Sequence, residues 1–244
     1  MNATRVVGSR DNPLLVRVRK LAQDGSAYRR GGQVWVEGEH LCTALRSRAR
    51  PAATALIAES AWADAPALRG LAGWAAETVI VADRLFAALS GLGSPARIGF
   101  LVDVGAPASI EGGLPTVVLD RLQDAGNVGS ILRSAALWSP KVLRAGMGAH
   151  FALRLVEGLD EDALAALAVP RVATSSHRGQ PLREAVVPRP CAWVFGNEGQ
   201  GVAPALLARC ALTVRIPQPG GEESLNVAAA AAICLYESST RAAA

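Results

Sequence analysis

The chain lacks any run of eighteen or more apolar residues, so no segment reads as a membrane-spanning helix. Its first residues, MNATRVVGSRDNP, have no apolar stretch of the kind that a secretory signal carries. No Cys-x-x-Cys pair occurs among Cys42, Cys191, Cys210 and Cys234. Three of these lie in apolar surroundings, which reads as buried free thiols in a reducing cytoplasm. His40, His150 and His177 show no metal-ligand spacing, and no metal is expected. Neither G-x-x-x-x-G-K-[ST] nor G-x-S-x-G is present, which argues against a P-loop and a hydrolase elbow. The glycines of GNEGQG (196–201) stand in the wrong order for a dinucleotide fingerprint.

What is present is a globular composition: 244 residues, half of them hydrophobic and 19% charged. That length allows one large domain or two modest ones. The net charge of +4 is uneven. Residues 1–50 hold ten Arg or Lys against four acids, a net +6, so the remainder carries −2. A basic first fifth on a near-neutral body suggests a surface that faces a polyanion.

The first hundred residues alternate short strands and helices. NPLLVRVRKLAQ predicts a helix capped by Asn12 with Pro13 in its first turn. QVWVEG, TALIAES, ETVIVAD and PARIGFLVDVG predict strands, and EHLCTALRSR and DRLFAALS predict helices, the latter with Asp83 as its cap. GAPASIEGGLP (105–115) reads as a linker. From Thr116 a second alternation begins. TVVLD, PRVATSS, CAWVFG and ALTVRIP are apolar strands without polar alternation, which predicts a parallel sheet covered by helices. Their following loops, DRLQDAGN, SSHRGQ, GNEGQG and PQPGGEESLN, collect polar residues where such sheets bind ligands.

Three of these segments carry candidate chemistry. In QDAGNVGSILRSA, Asn127 is expected to cap the helix and Arg133 to project about one and a half turns later. An arginine on an otherwise apolar helix needs a partner, and an ion pair is one such role. VFGNEGQGV places Asn197 and Glu198 on a tight turn after a strand. IPQPGGEESLNVAAAAAICLYES sets Gly220-Gly221 and the cap candidates Ser224 and Asn226 against an alanine-rich helix. Such a helix start can cap itself or face a ligand.

Taken in order, N-x-G-x-x-x-R, F-G-N-E-x-x-G-V and I-P-x-P-G-G-x-x-S-L-N-V-A resemble the SpoU/TrmH family of the SPOUT superfamily. The opening SRDNPLLVRVRKLAQDGSAYRRGGQVWVEGEHL is similar to the substrate-binding domain that precedes the catalytic domain in many members. The resemblance implies S-adenosylmethionine-dependent 2′-O-methylation of an RNA ribose, with 23S-type ribosomal RNA ahead of tRNA. A catalytically weak RNA-binding protein on the same scaffold is the alternative. It implies an α/β architecture: an RNA-binding domain (1–104, ribosomal-protein-like), the linker (105–115), and a SPOUT domain (116–244) with a parallel sheet and a deep trefoil knot. Gly220-Gly221 and VAAAAAI supply the small residues that such a crossing needs.

By the same resemblance, Arg133, Asn127, Glu198, Ser224 and Asn226 are the catalytic set. Thr174, Gly196, Ile216 and Leu225 hold the cofactor, and Arg17, Lys20, Arg29 and Arg30 meet RNA phosphates. A cytoplasmic homodimer through the knotted domain is implied. One departure stands out. Family members usually run through a further strand and loop, on the order of twenty residues, before a SPKVLRASMGA-like stretch. Here ILRSAALW leads straight into SPKVLRAGMGAHF (139–151), which implies a sheet with a gap near Arg133 unless a segment is omitted.

Overall fold

The computed structural model describes residues 3–90, 96–105, 108–131, 137–218 and 224–240. Arg133, Gly220 and Gly221 lie outside the described residues. The chain divides into two units, residues 1–107 with 136–155, and residues 108–135 with 156–244.

In the first unit the order is β1 (Ala3–Val7), α1 (Pro13–Gln23), α2 (Tyr28–Gly31), β2 (Gln33–Glu37), α3 (Glu39–Ser47), β3 (Thr54–Ala58), α4 (Glu59–Asp64), α5 (Pro66–Ala72), β4 (Glu77–Val81), α6 (Asp83–Ala87) and β5 (Ile98–Asp103). The sheet order is β1-β4-β3-β5-β2, parallel from β1 to β3 and antiparallel from β3 through β2. Asn12 caps α1 as expected, its Oδ1 accepting from Leu14 N–H at 3.0 Å. Asp83 does not cap α6; it is the first helical residue, and its carboxylate accepts from the Ser60 N–H and hydroxyl instead. Strands β2, β3, β4 and β5 are buried almost continuously, Val36, Leu56, Val79 and Phe100 among them, in one core with Leu15 and Val18 of α1 and Leu45 of α3.

Residues from the later chain complete this core. Helix α8 (Pro140–Ala145), capped by Ser139, contributes Leu143, and the 3₁₀ turn Ala149–Ala152 contributes Phe151. Both side chains are almost fully buried in the first unit. Trp138 packs beside them, with ring centroids 5.6 Å from His150 and 6.4 Å from Phe151.

The second unit holds β6 (Thr116–Leu119), α7 (Ala125–Ile131), β7 (Arg171–Thr174), β8 (Gln180–Pro181), β9 (Ala192–Phe195), α9 (Pro204–Ala208), β10 (Leu212–Arg215) and α10 (Val227–Thr240). Its sheet runs β6-β9-β7-β10-β8, parallel throughout, as the unalternating apolar strands predict. Among the described residues no strand lies between β6 and β7 in sequence, and β6 pairs with β9 alone. Because all strands point one way, the four polar loops leave the sheet at one end. Helix α10 packs on α7 and β9; its Ala231 and Cys234 are buried. Its far end is held by Trp193 Nε1, which donates to Ser238 Oγ at 2.8 Å, and by Arg189 Nη2, which donates to the Glu237 carbonyl at 2.9 Å.

Candidate active site

The loop after β6 and the turn after β9 meet where their strands lie side by side. Glu198, on the β9 turn, reaches across with its carboxylate. Its Oε2 accepts from Gln123 N–H at 3.0 Å, and its Oε1 accepts from Asp124 N–H and Asn127 Nδ2, both at 3.2 Å. Burial pushes the Glu198 carboxyl up, but the donors from Gln123, its own backbone, Asn127 and Asp124 outweigh it and hold the group below its ordinary value. Glu198 therefore stays ionised at neutral pH and faces the positive end of α7.

Asn127 does not cap α7. The helix starts at Ala125, and Asp124 provides the cap, its Oδ1 accepting from Asn127 N–H at 2.6 Å. Asp124 and Asn127 are both cap-type residues three apart, and only the backbone decides between them. Asn127, freed from capping, donates to Glu198 and accepts from Asn226 Nδ2 at 2.5 Å. Asn226 caps α10 as expected: its Oδ1 accepts from Ala228 N–H at 2.9 Å and Ala229 N–H at 3.4 Å. Ser224 is exposed two residues earlier. The structure thus joins Glu198, Asn127 and Asn226 in one hydrogen-bonded row, from the β9 turn through α7 to the start of α10. Arg133 of the predicted catalytic set lies outside the described residues.

The predicted cofactor residues sit at the same end of the sheet on three adjacent strands. Thr174 ends β7 and donates from Oγ1 to the Val194 carbonyl at 3.2 Å. Gly196 follows β9, and a Cβ there would stand 2.0 Å from Val202 N and 2.1 Å from Gly201 C. Ile216 follows β10 and, like Leu225, is half-buried. A glycine with no room for a side chain and half-buried aliphatic side chains at the end of a parallel sheet suit a nucleoside whose adenine needs close backbone approach and apolar cover, so the residues present fit S-adenosylmethionine.

The predicted RNA contacts lie on α1 and α2 of the first unit. Arg17 Nη1 donates to Gln33 Oε1 at 2.9 Å, and Arg30 pairs with Asp24 at 3.0 Å. Arg29 lies over the Tyr28 ring at 5.7 Å. Lys20 is exposed and lines a groove of about 430 Å³ with Val16, Arg19, Gln23 and Asp24.

Two residues of the second unit's site were not singled out as such from sequence. Asn197 is one of few buried polar side chains among the described residues, and Asp120 accepts from Ala203 N–H at 2.6 Å. Their signal was position alone: a carboxylate closing a strand and an amide opening a glycine-rich turn.

Comparison with known proteins fits this arrangement. The model of the SpoU rRNA Methylase family matches residues 134–236. A Synechocystis protein named as a tRNA/rRNA methyltransferase is 30% identical over 95% of this chain and 92% of its own length. That alignment runs to 261 positions, more than the 244 residues here, so one or both chains are gapped and the relative carries residues that this chain lacks. The Bacillus subtilis 23S rRNA (guanosine(2553)-2′-O)-methyltransferase RlmP is 35% identical over 49% of this chain, which spans about half (56%) of that relative. The SpoU methyltransferase AviRb from Streptomyces viridochromogenes superposes with a TM-score of 0.77 at 25% identity, covering 93% of this chain and 96% of that one. The same protein in complex with AdoMet shares the fold at a TM-score of 0.79 and 24% identity, over 93% and 96% of the two chains. With 30% identity to the Synechocystis relative over nearly the whole of both chains, and the polar row at the carboxyl end of a parallel sheet, this chain belongs to the SpoU rRNA methylase family.

Proposed function

We propose that the protein methylates a ribose 2′-oxygen of 23S-type ribosomal RNA, using S-adenosylmethionine. The observation that carries this reading is the row Glu198–Asn127–Asn226, which ties three separate sequence motifs into one site. Bound S-adenosylmethionine supplies a methyl carbon on a sulfonium centre. The 2′-hydroxyl is a weak nucleophile that must lose its proton as it attacks. Holding it in line is worth roughly 7–11 kcal/mol of barrier.

Each residue then has a task. Glu198 fixes Asn127, and Asn226 with Ser224 orients the ribose from the start of α10. Arg133 clamps the neighbouring phosphate and the developing negative charge on oxygen; a guanidinium with a pKa above about 12 suits that role better than proton removal. Thr174, Gly196, Ile216 and Leu225 surround the nucleoside of the methyl donor. Arg17, Lys20, Arg29 and Arg30 meet RNA phosphates, which set affinity and position and not sequence choice.

We extend the reading to the architecture. Residues 1–104 act as the RNA-binding domain, 105–115 as the linker and 116–244 as the catalytic domain. A trefoil knot in the latter is supported by the strand order, in which β9 enters between β6 and β7 and β10 between β7 and β8. It is supported also by tight backbone approaches at Gly196 and at Gly179, where a Cβ would stand 2.3 Å from the Thr213 carbonyl. Exposed Ile233, Leu235 and Tyr236 on α10 support a homodimer through this domain. The family resemblance supports a cytoplasmic enzyme.

The test is label transfer from S-adenosylmethionine to total ribosomal RNA and, separately, tRNA from a strain lacking the protein. Label in ribosomal RNA that disappears in Arg133→Ala, with the fold retained, is expected. Label in tRNA alone overturns the substrate, and survival of activity in Arg133→Ala overturns that residue's role. Stoichiometric RNA binding without any methyl transfer leaves a binding protein on this scaffold.

A further inference from the structure

We propose that Asn197 is a positioning residue for this reaction: its side-chain amide latches the β9 turn to the loop after β6 and so sets Glu198 against the start of α7. The inference rests on the reading of the site given above, and its geometry is independent of it. Asn197 Oδ1 accepts from Gly199 N–H and Gln200 N–H, both at 3.0 Å, which closes its own turn. The backbone of Asn197 and Gly201 pairs twice, at 3.0 and 2.8 Å. Its Nδ2 points the other way and donates to the Arg121 carbonyl at 2.9 Å. One buried amide thus serves two loops. Aspartate matches the acceptor but not the donor, and glutamine adds a methylene to both.

The loop it grips needs gripping. Arg121 has a φ of 53°, a left-handed conformation that is strained for a non-glycine residue. Asp120 braces the same bend: its backbone N–H donates to the Phe195 carbonyl at 2.8 Å, and its carboxylate accepts from Ala203 N–H. The Arg121 guanidinium closes on that carboxylate at 2.9 and 3.3 Å. Two successive residues of one turn therefore hold successive parts of the other loop. Asn197 takes Arg121, and Glu198 takes Gln123, Asp124 and Asn127. With the first contact gone, the exposed Glu198 carboxylate and the Asp120 contacts remain to hold the loop.

Asn197→Asp separates latching from turn formation, because it keeps the acceptor for Gly199 and Gln200 and turns an oxygen toward the Arg121 carbonyl. With the full-length enzyme at saturating RNA, the variant is expected to lose about tenfold in kcat, with S-adenosylmethionine binding within about threefold of wild type. In a Glu198→Ala background the same change is expected to cost less than about threefold, because the latch acts through Glu198. A full loss in both backgrounds, or none in the first, overturns the proposal. Amide exchange by NMR reads the latch without catalysis. Gln123 and Asp124 amides are expected to exchange at least about fivefold faster in Asn197→Asp, with Gly199 and Gln200 unchanged. Unchanged Gln123 and Asp124 exchange sinks the latch even where methyl transfer is seen. Faster exchange with no methyl transfer by wild type sustains the latch and refutes the functional reading instead.

Discussion

Replacing Asn226 distinguishes its two jobs. The residue caps α10 through Oδ1 and reaches Asn127 through Nδ2. Asn226→Asp retains the capping oxygen, and Asp caps as well as Asn. It turns an oxygen toward Asn127 Oδ1, which now accepts from Nδ2 at 2.5 Å. A lost hydrogen bond that leaves two acceptors facing is worth about 1–3 kcal/mol, and Asn226 is exposed and Asn127 only half-buried, which favours the lower end. At 1.36 kcal/mol per decade this is about a tenfold loss in the single-turnover rate. Thermal stability of Asn226→Asp should stay close to wild type. Asn226→Ala removes the cap as well and should lower stability by about 1 kcal/mol, with at least the same loss in rate. The assay is methyl transfer to ribosomal RNA with enzyme in excess, beside a thermal melt of each variant. A wild-type rate in Asn226→Asp would refute the argument that the Asn127–Asn226 contact organises the site.

Two further outcomes follow from buried groups. Gly196→Ala forces a Cβ to within 2.0 Å of Val202 N, so the β9 turn must shift; S-adenosylmethionine binding, read by equilibrium dialysis, should be lost together with about 1–3 kcal/mol of stability. His150 is buried, and burial outweighs the opposing Leu137 carbonyl contact to bring its pKa down from 6.5 to about 4. Its folded value is depressed, so its contribution is complete above pH 6.5 and drains as pH falls toward 4, on the order of 3 kcal/mol in all. Denaturant melts at pH 7 and pH 4.5 should show that slope, and His150→Phe should flatten it; an equal slope in both proteins would refute the assignment.

How much of this was legible in the sequence depended on how local each cause is. The carboxyl-end loops of the second sheet could be read because apolar strands without alternation favour a parallel, covered sheet, and their polar residues then gather at one end. The Asn12 and Asn226 caps were legible because each is the last cap-type residue before a helical pattern. The α7 cap was misread since Asp124 and Asn127 compete, and a long-range contact to Glu198 settles the matter. Strand β1 left no pattern to read: four of its five residues are exposed, and its place is set by pairing with β4. Helices α4 and α5 lie in the alanine-rich ESAWADAPALRGLA, where small side chains blur any period.

The segment at 139–151 shows where local reading stops. SPKVLRAGMGAHF has an ordinary cap at Ser139 and ordinary apolar residues, and nothing in it says which core they enter. Among the described residues no strand lies between β6 and β7. Leu143 and Phe151 bury instead in the first unit, each worth about 1.5–3 kcal/mol on transfer from water. Gly148 lets the segment come close: it has a φ of +86°, and a Cβ there would meet Ala44 Cβ at 2.6 Å. The unit that carries Arg17, Lys20, Arg29 and Arg30 is therefore not a contiguous stretch of chain. Its core is finished by residues that follow the first motif, so the linker that the sequence suggests at 105–115 does not mark how the hydrophobic residues divide between cores.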